Sequence, residues 1–330
     1  MILAGDIGGT TTRLALLEAE KGRVMPRIEA DYPSREYAGL ETILTEFLDR
    51  NRPPIAAACF GIAGPVRHDR IETPNLSWVV DAKQLARHLH LDEVTLLNDL
   101  EATAHGVLAL DERDFAVLHA GLPVEEGNRA VIAAGTGLGE AALFWDGKTH
   151  RPTASEGGHA DFAPRNELEM ELLRHLAREF EHVSYERVVS GPGLHRLYQF
   201  LRDTRRGDEP QWLAERLARE DPPAVIAAAG LEGTSQLCGR ALDLFVSLYG
   251  AEAGNLALKL LATGGVYLGG GIAPKILPKL KEPFFLESFQ AKGRYRKLLQ
   301  AIPVRVVLND RAALLGAARH AAMSAGLLSA

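Results

Sequence analysis

A glycine- and threonine-rich turn set between two apolar strands occurs twice in this chain, and that repetition limits the possible folds more than any other feature. The first copy runs Ile2-Leu3-Ala4-Gly5-Asp6-Ile7-Gly8-Gly9-Thr10-Thr11-Thr12-Arg13-Leu14-Ala15-Leu16-Leu17. Glycines let consecutive backbone N–H groups point into one concavity, an anion-binding nest, and the threonine hydroxyls add donors. Asp6 closes the first strand, where a carboxylate would hold the water shell of a metal beside bound phosphates. A plain structural hairpin accounts for one such turn equally well. The second copy, Ala130-Val131-Ile132-Ala133-Ala134-Gly135-Thr136-Gly137-Leu138-Gly139-Glu140-Ala141-Ala142-Leu143-Phe144-Trp145, lies in the other half of the chain. Two nests facing each other across a cleft would grip a polyphosphate from both sides, and the pair is far more specific than either member.

Length and composition bound the rest. The chain has 330 residues, 46% hydrophobic and 24% charged, enough for two globular domains and too apolar for disorder. A net charge of −6, with no basic block beyond Arg205-Arg206, excludes a nucleic-acid partner. Cys59 and Cys238 are too few and too far apart for a disulfide framework or a cysteine zinc site. Neither a secretory leader nor an apolar stretch near the roughly 20 residues of a membrane helix is present, so the expectation is a cytoplasmic protein with no membrane partner.

Between the two turns, helices alternate with buried strands. Leu40, Ile43, Leu44, Phe47 and Leu48 share a face and predict a helix over about 38–50, followed by a strand at Ile55–Phe60. Asp81 caps a short helix carrying Leu85 and Leu89, and Val94–Leu97 reads as the next strand. After the second turn a helix begins near Asn166, and two more are expected before 260. Arg202 to Pro223 reads as a charged surface excursion around a helical pattern at Trp212–Arg219. The strands Val266–Leu268 and Val304–Leu308 and an alanine-rich helix from Arg311 complete an α/β arrangement.

Several polar groups fall where such a sheet collects ligands. Asn98 and Asp99 end a buried strand, and ligands gather beyond the carboxyl ends of strands in open α/β sheets. A carboxylate there accepts the proton of an attacking hydroxyl while the amide orients the substrate; alternatively, Asp99 simply caps a helix starting at Leu100. Glu156, His159 and Glu186 offer the acceptors and exchangeable donors that suit a polyol, although His159 and Glu186 read singly are more ordinarily surface or locally satisfied polar residues. The glycines from Gly264 to Gly271 fit either close approach by a flat ligand such as adenine or a turn after a strand. Two look-alikes drop out. Asp146-Gly147-Lys148-Thr149 lacks the first glycine of a P-loop, and Glu140 stands where the last glycine of a dinucleotide fingerprint belongs.

Taken in order, Asp6-Ile7-Gly8-Gly9-Thr10, Leu97-Asn98-Asp99, Gly135-Thr136-Gly137-Leu138-Gly139, Ser155-Glu156-Gly157-Gly158-His159, Glu186 and Leu268-Gly269-Gly270-Gly271 make the chain resemble the bacterial glucokinase family nearly end to end. That family belongs to the sugar kinase, Hsp70 and actin superfamily. The resemblance implies two related ribonuclease-H-like α/β domains, the actin-like ATPase fold, around a deep cleft. It implies a small domain of residues 1–109 plus 311–330, a large domain of 110–310, and a homodimer. It further implies transfer of the ATP γ-phosphate to the 6-hydroxyl of glucose, with Asp99 as general base and Asn98, Asp99, Glu156, His159 and Glu186 binding the sugar. Asp6, Gly8, Gly9, Thr10, Thr11, Gly135, Thr136 and Gly137 would hold Mg-ATP phosphates, Asp6 reaching Mg2+ through water, and Gly269, Gly270 and Gly271 would border adenosine. Thr11 stands where the family usually has Asn, and Ala134 where Pro is common. The zinc-binding cysteine cluster of related ROK-type sugar kinases is missing, which points to the plain glucokinase branch. A kinase for another hexose or another phosphoryl donor, and a sugar-sensing regulator without turnover, are the alternatives.

Overall fold

The computed structural model describes residues 1–51, 53–73 and 76–328 and divides into two compact units. One comprises Met1–Asp114, Asp146–Ala154 and Asn309–Ala330; the other comprises Phe115–Trp145 and Ser155–Leu308. Among the described residues no helix is long and apolar enough to cross a membrane.

The first unit contains β1 (Ile2–Ile7), β2 (Thr11–Glu20), β3 (Arg23–Pro33), β4 (Ala57–Ile62), a small ribbon of β5 (Arg70–Glu72) and β6 (Val79–Asp81), and β7 (Thr95–Asn98). Its main sheet runs in the order β3-β2-β1-β4-β7. The glycine turn joins β1 to β2 as an antiparallel hairpin, while β4 and β7 extend the sheet in parallel. Alternation along β1 sends Leu3 and Ile7 to one face, where Phe47 of the helix Leu40–Asn51 packs. Ile2 and Ala4 go to the other face, against Ala102 and Leu314 of the helices Asp99–Val107 and Ala312–Ser324. Those two helices touch backbone to backbone. A Cβ at Gly106 would run into the Ala312 carbonyl, and one at Gly316 into that of Ala102.

The second unit holds β8 (Phe115–His119), β9 (Arg129–Ala134), β10 (Leu138–Trp145), β12 (Gly265–Gly269) and β13 (Val304–Val307), while β11 (His150–Ser155) follows β10 in the chain. Within this unit the order β10-β9-β12-β13 repeats that of β2-β1-β4-β7: an antiparallel hairpin with two parallel strands added on the side of its first strand. The repetition seen in the sequence is thus a repetition of topology.

The helix expected over about 38–50 is Leu40–Asn51, and the short one expected after Asp81 is Ala82–Leu89, capped by Asp81, whose carboxylate accepts from the Gln84 N–H at 3.0 Å. Helices were under-counted before 260. Beyond Gln211–Arg219 there are Gly191–Asp203, Pro222–Leu231 and Gln236–Leu260. The last is buried on nearly all sides, so it lacks the polar face by which a helix declares itself in sequence. The stretch after Arg202 is not wholly superficial, because Leu213 is fully buried. Asp146 closes a tight turn, its Oδ1 accepting from the Lys148 and Thr149 N–H groups at 2.9 Å each, as befits a connection between strands.

Candidate active site

In the first unit the Asp6–Thr12 turn is braced from behind by Ser34. The fully buried Ser34 hydroxyl donates to the Gly8 carbonyl at 2.8 Å and lies 2.9 Å from the Thr12 hydroxyl, while its N–H donates to the Thr10 carbonyl at 3.0 Å. The Gly8 N–H closes the turn on the Thr11 carbonyl at 3.0 Å. The carbonyls of Gly8, Thr10 and Thr11 are therefore all occupied, and Thr12, buried against Ser34, does not join the exposed hydroxyls of Thr10 and Thr11. Neither Gly8 nor Gly9 adopts the left-handed backbone of an αR-αL nest. The turn is a hairpin loop with its acceptors tied down.

Asp6 is the penultimate residue of β1, half-buried, with its carboxyl pushed up to about 6. Burial is the main cause and the nearby charge of Asp99 the second, with Arg13 opposing. Arg13 is itself engaged, donating from Nε to Asp31 at 2.9 Å and from Nη2 to Asp310 at 3.4 Å.

Asn98 and Asp99 lie at the carboxyl end of β7, and Asn98, not Asp99, is the cap. Its Oδ1 accepts from the N–H groups of Leu100 at 2.9 Å and Glu101 at 3.4 Å, and its Nδ2 donates to the Gly64 carbonyl at 3.1 Å. Asp99 is the first helical residue, its Oδ1 accepting from its neighbour's N–H at 2.9 Å. Gly61 fixes that helix on the sheet, since a Cβ there would stand 2.7 Å from the Ala102 Cβ and 4.0 Å from the Asp99 Cα.

In the second unit the Gly135–Gly139 turn is braced by the segment that carries Glu186. The Leu138 N–H donates to Glu186 Oε2 at 3.0 Å, and the Gly191 N–H donates to the Gly135 carbonyl at 2.8 Å. A Cβ on Gly137 would sit 2.6 Å from Glu186 Oε2, whereas one on Gly135 would meet nothing within 4 Å. Gly135 is also outside the left-handed region, so no packing or backbone demand of this unit accounts for it. Thr136 is exposed at the tip.

Backbone bonds from Phe162 to Val183 and from Tyr185 to Ala160 join the 156–162 segment to that of Glu186. They bring His159 Nε2 to 3.9 Å from Glu186 Oε2. Glu156 is exposed one turn earlier, its carbonyl accepting from the His159 N–H at 3.0 Å. Gly158 lies directly over the Leu138 carbonyl, which leaves no room for a side chain.

The chain itself accounts for most of the glycines near the end. Gly264 abuts the Gly127 carbonyl, while Gly265 has φ +129°. Gly270, at φ +77°, presses on the Ala134 carbonyl. Gly269 ends β12, and Gly271, with open space around its Cα, is unexplained by packing. The Gly269–Gly271 loop thus lies against the end of β9, beside the second turn.

The structure therefore assembles the nominated residues in two groups, each within its own unit. One is Asp6, Gly8 to Thr11, Asn98 and Asp99, and the other is Gly135 to Gly137, Glu156, His159, Glu186 and Gly269 to Gly271. Ser34, Gly61, Gly64 and Gly191 were not nominated, because each acts through contacts with residues distant in sequence.

Two α/β units that repeat one strand order, each turning a glycine hairpin toward polar side chains, define a sugar kinase of the actin-like ATPase fold. A family model described as Glucokinase matches residues 3–324. A glucokinase of a Nostoc species is 44% identical over 338 residues, spanning 98% of this chain and 99% of that protein. Among solved structures, a glucokinase from an Antarctic psychrotroph superposes with a TM-score of 0.85 at 30% identity, covering 97% of this chain and 98% of its own. A ROK family glucokinase from Streptomyces griseus in complex with glucose and AMPPNP shares the fold, with a TM-score of 0.65 at 20% identity over 97% of this chain and 98% of its own. The chain belongs to the glucokinase family.

Proposed function

We propose that this member of the family passes the γ-phosphoryl group of ATP to the 6-hydroxyl of glucose, with Asp99 as the base. The observation that carries the reading is the placement of Asp99 at the carboxyl end of β7, close enough to Asp6 for its charge to raise that acid. Asp99 takes the hydroxyl proton as the sugar oxygen bonds to the γ-phosphorus, and the bond from that phosphorus to the bridging oxygen breaks, releasing ADP. Asn98 keeps one amide N–H for the sugar once its other bonds are made. Glu156, His159 and Glu186 bind the remaining hydroxyls, with Glu186 Oε2 already committed to Leu138. Gly8 to Thr11 and Gly135 to Gly137 lie along the phosphates, and Gly269 to Gly271 beside adenosine. Gly135 and Gly271, which no contact in the unit requires, support that assignment.

Mg2+ fits the donor set beside the first turn. A hard cation prefers carboxylate oxygen and water, and Asp6 and Asp99 supply two carboxyl groups close enough for the charge of one to raise the other, with Arg13 opposing. Asp6 would hold the ion through water. When bound, the ion would neutralise phosphate charge. The same reading proposes a cytoplasmic homodimer, which light scattering on the purified protein tests.

Asp99→Asn is the decisive variant. General-base catalysis is worth roughly 10²–10⁴-fold, so kcat is expected to fall by that factor while calorimetry still shows glucose binding. Near-normal turnover in a coupled assay would remove Asp99 from its role. A panel of hexoses and phosphoryl donors run on the wild type tests the substrate assignment.

A further inference from the structure

Beneath the Glu156–His159 turn lies a pair of acids that phosphoryl transfer does not use. Glu140 on β10 is 1% exposed, and Glu252, in the helix Gln236–Leu260, is 0% exposed. The charge of Glu252 bears directly on Glu140, so the two carboxyl groups are neighbours in the core. Glu140 Oε1 and Glu252 Oε1 find no donor among the described residues, and Lys259 Nζ stands 3.5 Å from the latter. Two carboxylates offer each other only acceptors, so a bond between them requires a proton. Burial, and then the charge of Glu252, hold a proton on Glu140 well above the ordinary carboxylate range, with Lys259 opposing.

The pair touches both sugar-side segments. A side chain on Gly157 would run into Glu140 Oε2, so the turn rests directly on that carboxyl group. Glu252 Oε2 accepts from Asn255 Nδ2 at 2.8 Å, and the same amide donates to the Tyr185 hydroxyl at 3.1 Å, one residue before Glu186. Asn255 is anchored in turn by Lys292, 2.5 Å from its Oδ1.

We infer that Glu140 and Glu252 are positioning residues that share one proton and thereby hold the Glu156–His159 turn and the Glu186 segment in place for the sugar. The inference rests on the reading that those two segments bind the sugar. Other charged or titratable groups facing the pair are Lys259 on the helix of Glu252, Lys292, and the hydroxyls of Tyr185 and Tyr249; Arg165 and Glu169 act on Lys292 behind it. Loss of the shared proton would place two like charges under the turn, which weakens sugar binding as the pH rises.

The test is KM for glucose against pH, from neutral into the alkaline range, in the wild type, Glu140→Gln, Glu252→Gln and Glu140→Ala. The wild-type KM is expected to rise with a one-proton dependence. Glu140→Gln, whose amide donates what the shared proton supplied, should stay within about twofold at neutral pH and show no alkaline rise. Glu140→Ala should raise KM about tenfold at every pH with kcat nearly unchanged, the equivalent of one lost hydrogen bond. Should the alanine variant fail to fold, Glu252→Gln gives the same reading as Glu140→Gln. An alkaline rise that persists in both glutamine variants overturns the proposal.

Melting of the sugar-free protein reports the proton independently. A raised carboxyl stabilises at low pH and loses that contribution as the pH climbs through its raised value, so the wild type should lose ground to Glu140→Gln over that range. A melting difference without any KM difference would show that the pair holds a proton but positions nothing. Glu156→Gln separates the underlying reading: unchanged KM there defeats the sugar assignment itself, whatever the glutamine variants do.

Discussion

The two glycine turns share a strand order but not a support. The first is held by neutral groups, the Ser34 hydroxyl and N–H on the Gly8 and Thr10 carbonyls, and its charge comes from Asp6 and Asp99 nearby. The second is held by a carboxylate, Glu186, which accepts from the Leu138 N–H and also approaches His159. What repeats is the strand order alone: four residues separate the paired Ile7 and Thr12, three separate Ala134 and Leu138, and the bracing differs with the loop. In the first unit the brace is structural only. In the second it is a residue that the proposed reaction also uses, so moving the turn moves a side chain proposed to bind the sugar.

That contrast is broken most severely at Gly137. Alanine there puts a Cβ 2.6 Å from Glu186 Oε2, too close to be absorbed while the carboxylate stays on Leu138. A displacement of this order is expected to cost about 100-fold in kcat/KM for glucose, although the substitution is made in the turn assigned to phosphate. Gly135→Ala is its control. Nothing lies within 4 Å of the new Cβ, so stability should stay within about 0.5 kcal/mol while KM for ATP rises. If KM for ATP is unmoved in Gly135→Ala, the second turn is merely structural.

Ser34→Ala probes the neutral brace and should cost less activity. It strands the half-buried Gly8 carbonyl and the buried Thr12 hydroxyl, a loss of about 1–3 kcal/mol in denaturant unfolding. KM for ATP should rise with KM for glucose unchanged, the opposite pattern to Gly137→Ala. Equal shifts in both constants would mean that the two turns are coupled to the sugar alike.

Why some of this was legible and some was not follows from range. The hairpins, the helix Leu40–Asn51 and the Asp81 cap are written in a few adjacent residues, where apolar period and a capping side chain suffice. Asn98 and Asp99 were visible as a polar pair ending a strand, but which of them capped the helix was settled by geometry, because both side chains can reach the Leu100 N–H. Ser34 and Gly61 carry no local signal at all; their identities are demanded by the Gly8 carbonyl and by Ala102 in other elements. Gly264 and Gly270 are also demanded by nearby backbone, the Gly127 and Ala134 carbonyls, and Gly265 by its φ of +129°, so a run of glycines does not by itself separate packing from the approach of a ligand. Glu140 was read only as a missing glycine, since its partner Glu252 lies on a helix with no polar face to mark it.

The gentlest test of the comparison is pH, through Asp6, whose raised carboxyl stands one residue before the end of the strand that leads into the first turn. Asp6 is pushed from 3.8 up to about 6, so the folded protein keeps a proton that the unfolded chain has already released. Its contribution to stability is complete below about 3.8 and is lost as the pH rises through about 6. Asp6→Asn has nothing to release, so the melting difference between wild type and variant should shift against the wild type across that interval and stay constant above it. A divalent cation with nucleotide favours the ionised carboxylate, so adding Mg-ATP should reduce the wild-type slope and leave that of Asp6→Asn unaltered. A slope indifferent to Mg-ATP in both proteins would detach Asp6 from the metal and leave the first turn, like its Ser34 brace, with a structural role alone.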